Sequence, residues 1–550
     1  MTSYRPMARR KFGKRFVGFA WILGAWAIVG LATAQPASDP TAAAFRLAQH
    51  QVNAAVVDQI SLATLRDRLG GQASGQLIDQ HLSLTEEIEA LRKERLSDTE
   101  APASADAAKR RANLFDRESR LRAELDLLSD KLSATVPEFA QLYRPQTLTI
   151  ADTQALLRPA EALVLIAVGE KGVHLFAVTR EAFVWNRSES NAAAILRKVQ
   201  TLRVSLGADR DVRGRSLPVS GSSAGAGGFD RSTAFALYQD VFAPIAEAVA
   251  GKEIVYIARS GALRQLPMSL LVTKSPHGAD ADPVAVRDTT YLIDQYAIAE
   301  LPSVTSLNLL RQRAASRPVW KFDFVGVGAP RLQPNLSPSS VRGLADVSAL
   351  ARLPELSGAA QELTEAAARN PGRATMLLMG ADATETNVRG ARKADIEQAR
   401  IIAFSTHALQ ANEPGARSSG EPGLVLATPR GAVTVGDDGF LSASEIASLR
   451  LNAELVVLSA CNTAGSLQET ESDGPGALAQ AFFAAGARGA MISHWPVDDA
   501  ATSLLMQEVL AGGNAATVRG FKNAIASVRR RPNTINPRLW GAFTFVGVDR

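Results

Sequence analysis

The chain has 550 residues, 46% of them hydrophobic, and its 60 Lys and Arg against 55 Asp and Glu give a formal net charge of +5. This length suits two or three domains, and the apolar content is ordinary for a soluble protein with sizeable cores. Six basic residues lie before residue 16 and no acid occurs before Asp39, so removing those six charges leaves a net charge of −1. A near-neutral body argues against nucleic acid as a partner.

Residues 1–34 have the pattern of an export signal. A basic head precedes the apolar run Phe16 to Ala32, and Ala32-Thr33-Ala34 has the form of a cleavage site. Arg9-Arg10-Lys11-Phe12-Gly13-Lys14 resembles a twin-arginine signal, which implies export of a folded protein. We therefore expect a periplasmic or extracellular protein. The apolar run is near the lower length limit for spanning a bilayer, so an uncleaved inner-membrane anchor is the alternative.

Residues 35–150 are predicted to form an all-α N-terminal arm. One or two helices are expected over Thr41 to Arg68, followed by an antiparallel helical hairpin whose leucines recur at helical spacing. No thirty-four-residue period is evident, so the arm is at most a degenerate remnant of a helical repeat. It either packs on the domain that follows it or forms a docking platform for a protein partner or substrate.

From Ala162 onward the pattern changes to strands. Gly169-Glu170-Lys171-Gly172 between Leu163–Val168 and Val173–Val178 predicts a hairpin. Further on, apolar strands alternate with helices, which favours an α/β fold with a largely parallel central sheet flanked by helices. The later strands are predicted at 254–258, 322–327, 374–378, 401–404, 455–459 and 490–494. The helices are predicted at 191–206, 233–250, 356–368, 443–449, 476–485 and 498–510.

The single cysteine, Cys461, follows one of these strands, and His407 follows another 54 residues upstream. In open α/β sheets, sites are built in the crevice beyond the carboxyl ends of the strands. A His about fifty residues before a lone Cys is also the order and spacing of caspase-like nucleophiles. The alternative is a small buried core residue near a loop His. An unpaired thiol in an exported protein favours use over packing.

Several further motifs surround these two residues. They are Phe404-Ser405-Thr406-His407-Ala408, Val456–Gly465, Asp473-Gly474-Pro475-Gly476, Ala481–Ala487, Ser493–Asp499, Asn536–Phe543, Ala258–Pro267 and Leu301-Pro302-Ser303. In this ordered set, over roughly residues 160 to 550, the chain resembles the CHAT family of bacterial caspase-like peptidases, relatives of caspases, separases and gingipains in clan CD. The resemblance implies a pseudo-caspase-like subdomain over residues 151–330 and a caspase-like catalytic half over residues 331–550.

The resemblance also implies a cysteine endopeptidase that needs no cofactor. Cys461 would be the nucleophile and His407 its acid–base partner, while the backbone N–H groups of Ala408 and Cys461 would hold the oxyanion. The family usually has Gly where this chain has Ala408, and Ala reaches positive φ less readily than Gly. It also usually has Glu-Thr-Gly after the cysteine, where this chain has Asn462-Thr463-Ala464.

Asp473 and Trp495 are the candidate substrate-binding residues. Asp473 either caps the helix that follows Gly474-Pro475 or, by resemblance to separase- and gingipain-like relatives, lies in a pocket for a basic side chain. Trp495 either lines that pocket or packs beside Pro496, and His494 is predicted to be structural. The remaining histidines show no ligand spacing, so no metal site is predicted. The expected partner is a protein or peptide substrate; the alternatives are a silent caspase-like scaffold and a hydrolase acting on a non-peptide acyl substrate.

Overall fold

A large central β-sheet receives strands from both halves of the chain. The computed structural model describes residues 40–53, 147–208, 228–315, 318–332, 345–356, 358–369, 374–410, 413–416, 422–428, 437–460, 477–495, 499–510 and 517–549, and parts of 75–135. The strands are β1 (Glu161–Gly169), β2 (Gly172–Thr179), β3 (Phe183–Ser188), β4 (Ile254–Arg259), β5 (Ala297–Glu300), β6 (Phe322–Pro330), β7 (Thr375–Gly380), β8 (Ala399–Ser405), β9 (Ala408–Leu409), β10 (Gly423–Val425), β11 (Phe440–Ser442), β12 (Leu455–Ser459), β13 (Gly489–Ser493) and β14 (Phe543–Gly547).

Helices connect most of these strands. They are α1 (Pro40–Asn53), α2 (Ile150–Leu156), α3 (Ala192–Leu206), α4 (Arg231–Val241), α5 (Pro283–Arg287), α6 (Leu292–Gln295), α7 (Ser306–Ala315), α8 (Val347–Leu350), α9 (Ala359–Ala368), α10 (Lys393–Glu397), α11 (Ala443–Ala447), α12 (Ala477–Ala485), α13 (Asp499–Leu510), α14 (Val518–Arg529) and α15 (Pro537–Trp540). Every residue of β8 and of β14 is buried, although side chains alternate between the two faces of a strand. Both faces of the sheet are therefore covered, as in other α/β folds.

The order of the eleven strands is β3-β2-β1-β4-β5-β14-β13-β12-β8-β6-β7. The predicted hairpin is present: β1 and β2 are antiparallel, with Gly169 opposite Gly172. The strands β1, β4 and β5 are parallel, and so are β7, β6, β8, β12 and β13. The sheet is thus largely parallel, and the predicted fold class is confirmed.

The last strand joins the two halves of the sheet. β14 runs antiparallel to β13 and pairs in parallel with β5 through Val546 and Glu300. The strand β6, which precedes the predicted boundary at residue 330, pairs with β7 and β8 of the second half. In the sheet, the two sets of strands meet where β5 lies beside β14, and the boundary at residue 330 stays a prediction.

One predicted helix is interrupted. The pattern over Thr233 to Ala250 suggested a continuous helix, but α4 ends at Val241 and short 3₁₀ turns follow at Ala243–Ile245 and Glu247–Val249. Pro244 causes the break, because proline lacks the N–H that an α-helix interior needs and its ring clashes with the preceding turn.

The arm is helical wherever the structure describes it between residues 75 and 135. His81 Nε2 lies 3.0 Å from Ser129 Oγ, and Arg117 pairs with Glu87 at 2.6 Å. Because the later segment meets the earlier one in reversed order, these contacts support the predicted antiparallel hairpin.

The helix α1 packs on the first half of the sheet. The ring centroids of Phe45 on α1 and Phe176 on β2 are 5.6 Å apart.

Residues 1–39, the predicted export signal, lie outside the described residues. Among the described residues, no helix is both long and apolar enough to cross a bilayer.

Candidate active site

His407 lies just beyond the end of β8 and is 6% exposed. Its Nε2 is 2.8 Å from the backbone oxygen of Pro354. A carbonyl oxygen only accepts hydrogen bonds, so Nε2 carries the proton and donates it. In the neutral ring Nδ1 is then the acceptor nitrogen. Burial lowers the pKa of His407, and the bond to Pro354 partly opposes that shift. The ring is therefore neutral and oriented, with one basic nitrogen.

The backbone around His407 is fixed by the small sheet of β9, β10 and β11. The N–H of Val425 donates to the His407 carbonyl at 2.9 Å, and the hydroxyl of Thr406 donates to the carbonyl of Val425. Paired backbone on one side and Pro354 on the other leave the imidazole little freedom. Thr406 is thus structural, as its place beside the turn suggests.

Ala408 is the first residue of β9 and is buried. Among the described residues, the non-glycine residue with positive φ is Ala329, so Ala408 has the negative φ that any L-residue adopts. Replacement of the family's usual Gly by Ala therefore introduces no backbone strain at this position.

The strands β8 and β12 are parallel neighbours, and Ser405 pairs with Ser459 at their carboxyl ends. Both serine hydroxyls donate to one oxygen, Oε2 of Glu362 on α9, at 3.0 Å each. Glu362 is 5% exposed. Nothing in the sequence separates this carboxylate from Glu365 one turn later, because both lie in a helical pattern without any site motif.

The predicted nucleophile Cys461 and the predicted pocket residue Asp473 both lie outside the described residues. The described part of β12 and its continuation ends at Ala460, whose carbonyl accepts a hydrogen bond from Ser493. The chain is described again from Ala477, at the start of α12. Of the predicted dyad, the structure therefore describes His407, and the role of Cys461 is predicted from the sequence alone.

Trp495 has no exposed surface, and its indole N–H donates to the carbonyl of Arg538 at 3.0 Å. This burial favours the packing alternative over a pocket wall. His494 is also fully buried, with Nε2 2.9 Å from the hydroxyl of Thr544. Burial, with the nearby charges of Arg259 and Arg203, lowers the pKa of His494 well below 6.5. Both residues join β13 to neighbouring elements.

Buried carboxyl groups anchor the segment that supplies Pro354. The N–H of Ala345, nine residues before Pro354, donates to Asp438 at 2.7 Å. Glu385 in turn accepts from the N–H groups of Asp438 and Gly439, at 2.7 and 2.8 Å. Burial, followed by the charges of Glu445 and Asp438, raises the pKa of Glu385 to about 9. A protonated carboxyl group is therefore part of this support at neutral pH.

No group of three or more His, Cys, Asp or Glu side chains in the described part of the chain is arranged to hold a metal ion.

The family model of the CHAT domain matches residues 231–548. This region is more than half of the chain and includes β8, β12 and His407. The chain belongs to the CHAT domain family. The resemblance seen in the motifs is thereby confirmed, although the matched CHAT region begins at Arg231, after β1, β2 and β3.

Two curated relatives of this CHAT-domain protein are tetratricopeptide repeat protein 28 of Mus musculus and of Homo sapiens. The first is 29% identical over 204 residues, covering 31% of this chain and 8% of that protein. The second is 26% identical over 300 residues, covering 47% and 11% respectively. The aligned region thus spans about a tenth of the length of these relatives.

Two solved structures resemble this CHAT-domain protein at low sequence identity. The Saccharomyces cerevisiae separase–securin complex matches with a TM-score of 0.40 and 10% identity, covering 82% of this chain and 34% of that chain. The Arg-specific cysteine proteinase gingipain R matches with a TM-score of 0.31 and 9% identity, covering 65% and 74%.

Proposed function

We propose that this CHAT-domain protein is an exported cysteine endopeptidase in which Cys461 is the nucleophile and His407 is its acid–base partner. The observation that carries the proposal is the orientation of His407, whose Nε2–H is held by Pro354 so that Nδ1 is left as the base. The register of β8 with β12 adds support, since His407 and Cys461 each follow the paired serines, Ser405 and Ser459, by two residues.

The proposed reaction proceeds through an acyl-enzyme. Nδ1 of His407 takes the proton of the Cys461 thiol, and the thiolate attacks the peptide carbonyl carbon to form a C–S bond. The N–H groups of Cys461 and Ala408 donate to the oxyanion. The imidazolium then protonates the leaving amine as the C–N bond breaks. A water molecule, activated by the same ring, hydrolyses the thioester and restores the thiol.

Asp473 is the proposed determinant of cleavage after Arg or Lys. A carboxylate at the bottom of a pocket pairs with a basic side chain and leaves a neutral or acidic one without compensation. The rival role, capping the helix that starts near Pro475, involves no contact with substrate. The sequence of the cleaved bonds separates the two roles.

Export is a proposal that rests on the basic head, the apolar run Phe16 to Ala32 and the Ala32-Thr33-Ala34 motif. Mass spectrometry of the protein recovered from cell fractions tests it. A mature chain that begins at Gln35 in the soluble exported fraction supports cleavage. An intact N-terminus in the inner membrane supports the anchor, and an intact chain in the cytoplasm contradicts export.

The activity is tested by incubating a denatured proteome of the source cell with wild type, Cys461→Ala and His407→Ala, and sequencing the new N-termini. We expect new termini with wild type alone, and Arg or Lys before each cut. Each substitution should lower the cleavage rate by about 10³-fold or more, because each removes a partner without which the other cannot act. Identical N-termini in all three samples contradict the peptidase and favour the scaffold, provided that Cys461 is also unreactive.

Covalent labelling of Cys461 distinguishes the endopeptidase from a hydrolase that acts on a non-peptide acyl group. Intact-mass measurement after exposure to peptide-based and to other acyl electrophiles shows which class of compound adds to Cys461. Preferential labelling by the peptide-based compounds supports the endopeptidase.

A further inference from the structure

Glu362 is a buried carboxylate placed between the two strand ends on which the proposed dyad depends. Its Oε2 accepts hydrogen bonds from Ser405 on β8 and from Ser459 on β12, at 3.0 Å each. His407 follows Ser405 by two residues. A single oxygen that binds both hydroxyls fixes the separation of the strand ends more tightly than the ladder of backbone hydrogen bonds does alone.

The sheet is shaped so that α9 can bring Glu362 this close. A Cβ on Gly328 of β6 would lie 2.1 Å from the backbone oxygen of Ser405 and 3.1 Å from the side chain of Leu363. A Cβ on Gly326 would likewise lie 3.1 Å from Leu363. Two glycines on one strand thus leave the space into which α9 packs. The residue next to Leu363 on this helix is Glu362, so close packing and the carboxylate bridge belong to one arrangement.

Burial of a carboxylate is costly, and an apolar side chain packed at this position would avoid that cost. The bridge is therefore a poor choice for stability alone. Its geometry serves another purpose, because small displacements of reacting groups reduce rates strongly; about 1 Å costs on the order of 10²-fold.

We infer that Glu362 is a positioning residue of the CHAT site, which holds the ends of β8 and β12 at the spacing that the His–Cys pair requires. This inference rests on the proposed function. In this role Glu362 acts through Ser405 and Ser459.

The test uses thiol alkylation, because the chain contains one cysteine and the reaction reports on Cys461 without any substrate. The rate of reaction with iodoacetamide is measured against pH for the full-length wild type, His407→Ala, Glu362→Met and Glu362→Gln. The matched control is Glu365→Met on the same helix. One oxygen of Glu365 also accepts from two side chains, Ser503 and Gln507, but on α13 rather than at the strand ends.

We expect His407→Ala to slow alkylation at neutral pH by about tenfold, because less of the thiol is present as thiolate once the base that takes up its proton is removed. The alkylation rate of Glu362→Met should fall to the same value, while its circular dichroism spectrum stays like that of wild type. Glu362→Gln should keep the wild-type profile, since its amide oxygen accepts the same two hydroxyls, and Glu365→Met should match wild type. If Glu362→Met does not fold, the double variant Ser405→Ala/Ser459→Ala removes the same two bonds and should give the slow profile.

The outcomes separate this inference from the proposed function. A His407-dependent rate in wild type that survives unchanged in folded Glu362→Met, or in the double serine variant, overturns the positioning role and leaves the dyad standing. So does a slow rate in Glu362→Gln, because hydrogen bonding would then not be the means. Equal rates in wild type and His407→Ala contradict the dyad, and the positioning role falls with it.

Discussion

The two halves of the sheet use the ends of their parallel strands in different ways. In the first half, Arg259 at the end of β4 forms a buried ion pair with Glu300 at the end of β5. The same guanidinium donates to the carbonyls of Leu263 and Leu266 in its own loop. These contacts hold the loop after β4 against the strand end and connect it to β5.

In the second half the corresponding positions carry small hydroxyls. Ser405 and Ser459 share one carboxylate oxygen, and His407 follows with Nε2 held and Nδ1 left as an acceptor. The strand ends of the first half thus carry a buried ion pair, whereas those of the second half carry uncharged hydroxyls and are followed by a histidine with an acceptor nitrogen.

The largest change in stability is expected when Arg259 is replaced. Arg259→Met leaves Glu300 buried without its cation, and such a loss costs about 3–5 kcal/mol in the free energy of unfolding. Urea denaturation measures it. The double variant Arg259→Met/Glu300→Leu should recover most of the loss, because neither charge is then buried alone.

The control for Arg259 is Arg531→Met, which removes a pair with Glu508 whose side chains are 48% and 27% exposed. Its loss should be below about 1 kcal/mol. Equal losses at Arg259 and Arg531 would contradict the view that burial gives the ion pair of the first half its larger effect.

A smaller effect concerns how buried acids are neutralised. Burial raises the pKa of both acids; the Arg259 cation opposes the shift at Glu300, whereas at Glu385 the charges of Glu445 and Asp438 add to it and bring the pKa to about 9. Because the folded pKa lies above the ordinary 4.5, the stability contributed by Glu385 is complete below pH 4.5 and is lost as pH rises through about 9.

Glu385→Gln tests this, since the amide oxygen still accepts the backbone N–H groups and does not ionise. Melting temperature against pH should decline less steeply for the variant than for wild type. The free energy of unfolding should change with pH by at most about 1.4 kcal/mol per pH unit more in wild type than in the variant, which is the contribution of one proton. Parallel curves for the two proteins would show that Glu385 is not the group that titrates.

The smallest effect is an order of titration between two buried histidines. Burial lowers the pKa of His407, with the Pro354 bond opposing it, whereas full burial beside Arg259 and Arg203 lowers that of His494 much further. On acidification, each ring should be more than half neutral at pH 6.5, and His407 should take up a proton before His494.

Nuclear magnetic resonance of labelled histidine rings gives the midpoints, and the His407→Asn and His494→Asn variants assign the signals. As each folded pKa lies below the unfolded value of 6.5, the stability that each ring contributes is present above pH 6.5 and is lost as pH falls through its folded pKa. A midpoint for His407 at or above 6.5, or the reverse order, would contradict the burial argument.

The amino-acid pattern was sufficient to predict where several strands of the parallel sheet lie and that His407 follows one of them. Apolar runs of four or five residues between turn residues report local conformation, and the predicted segments at 254–258, 401–404 and 455–459 all fall within β4, β8 and β12. The motif order also led to the correct family, because the types and spacing of residues along the chain are directly readable.

The contacts between these elements depend on the tertiary structure. The pairing of β14 with β5, the carbonyl that orients His407 and the carboxylate that joins Ser405 to Ser459 come from segments distant in the chain. A backbone carbonyl has no signature in the sequence, and the helical pattern does not distinguish Glu362 from Glu365. Register and side-chain contact arise only when the sheet assembles and α9 packs on Gly326 and Gly328, so local pattern could not have supplied them.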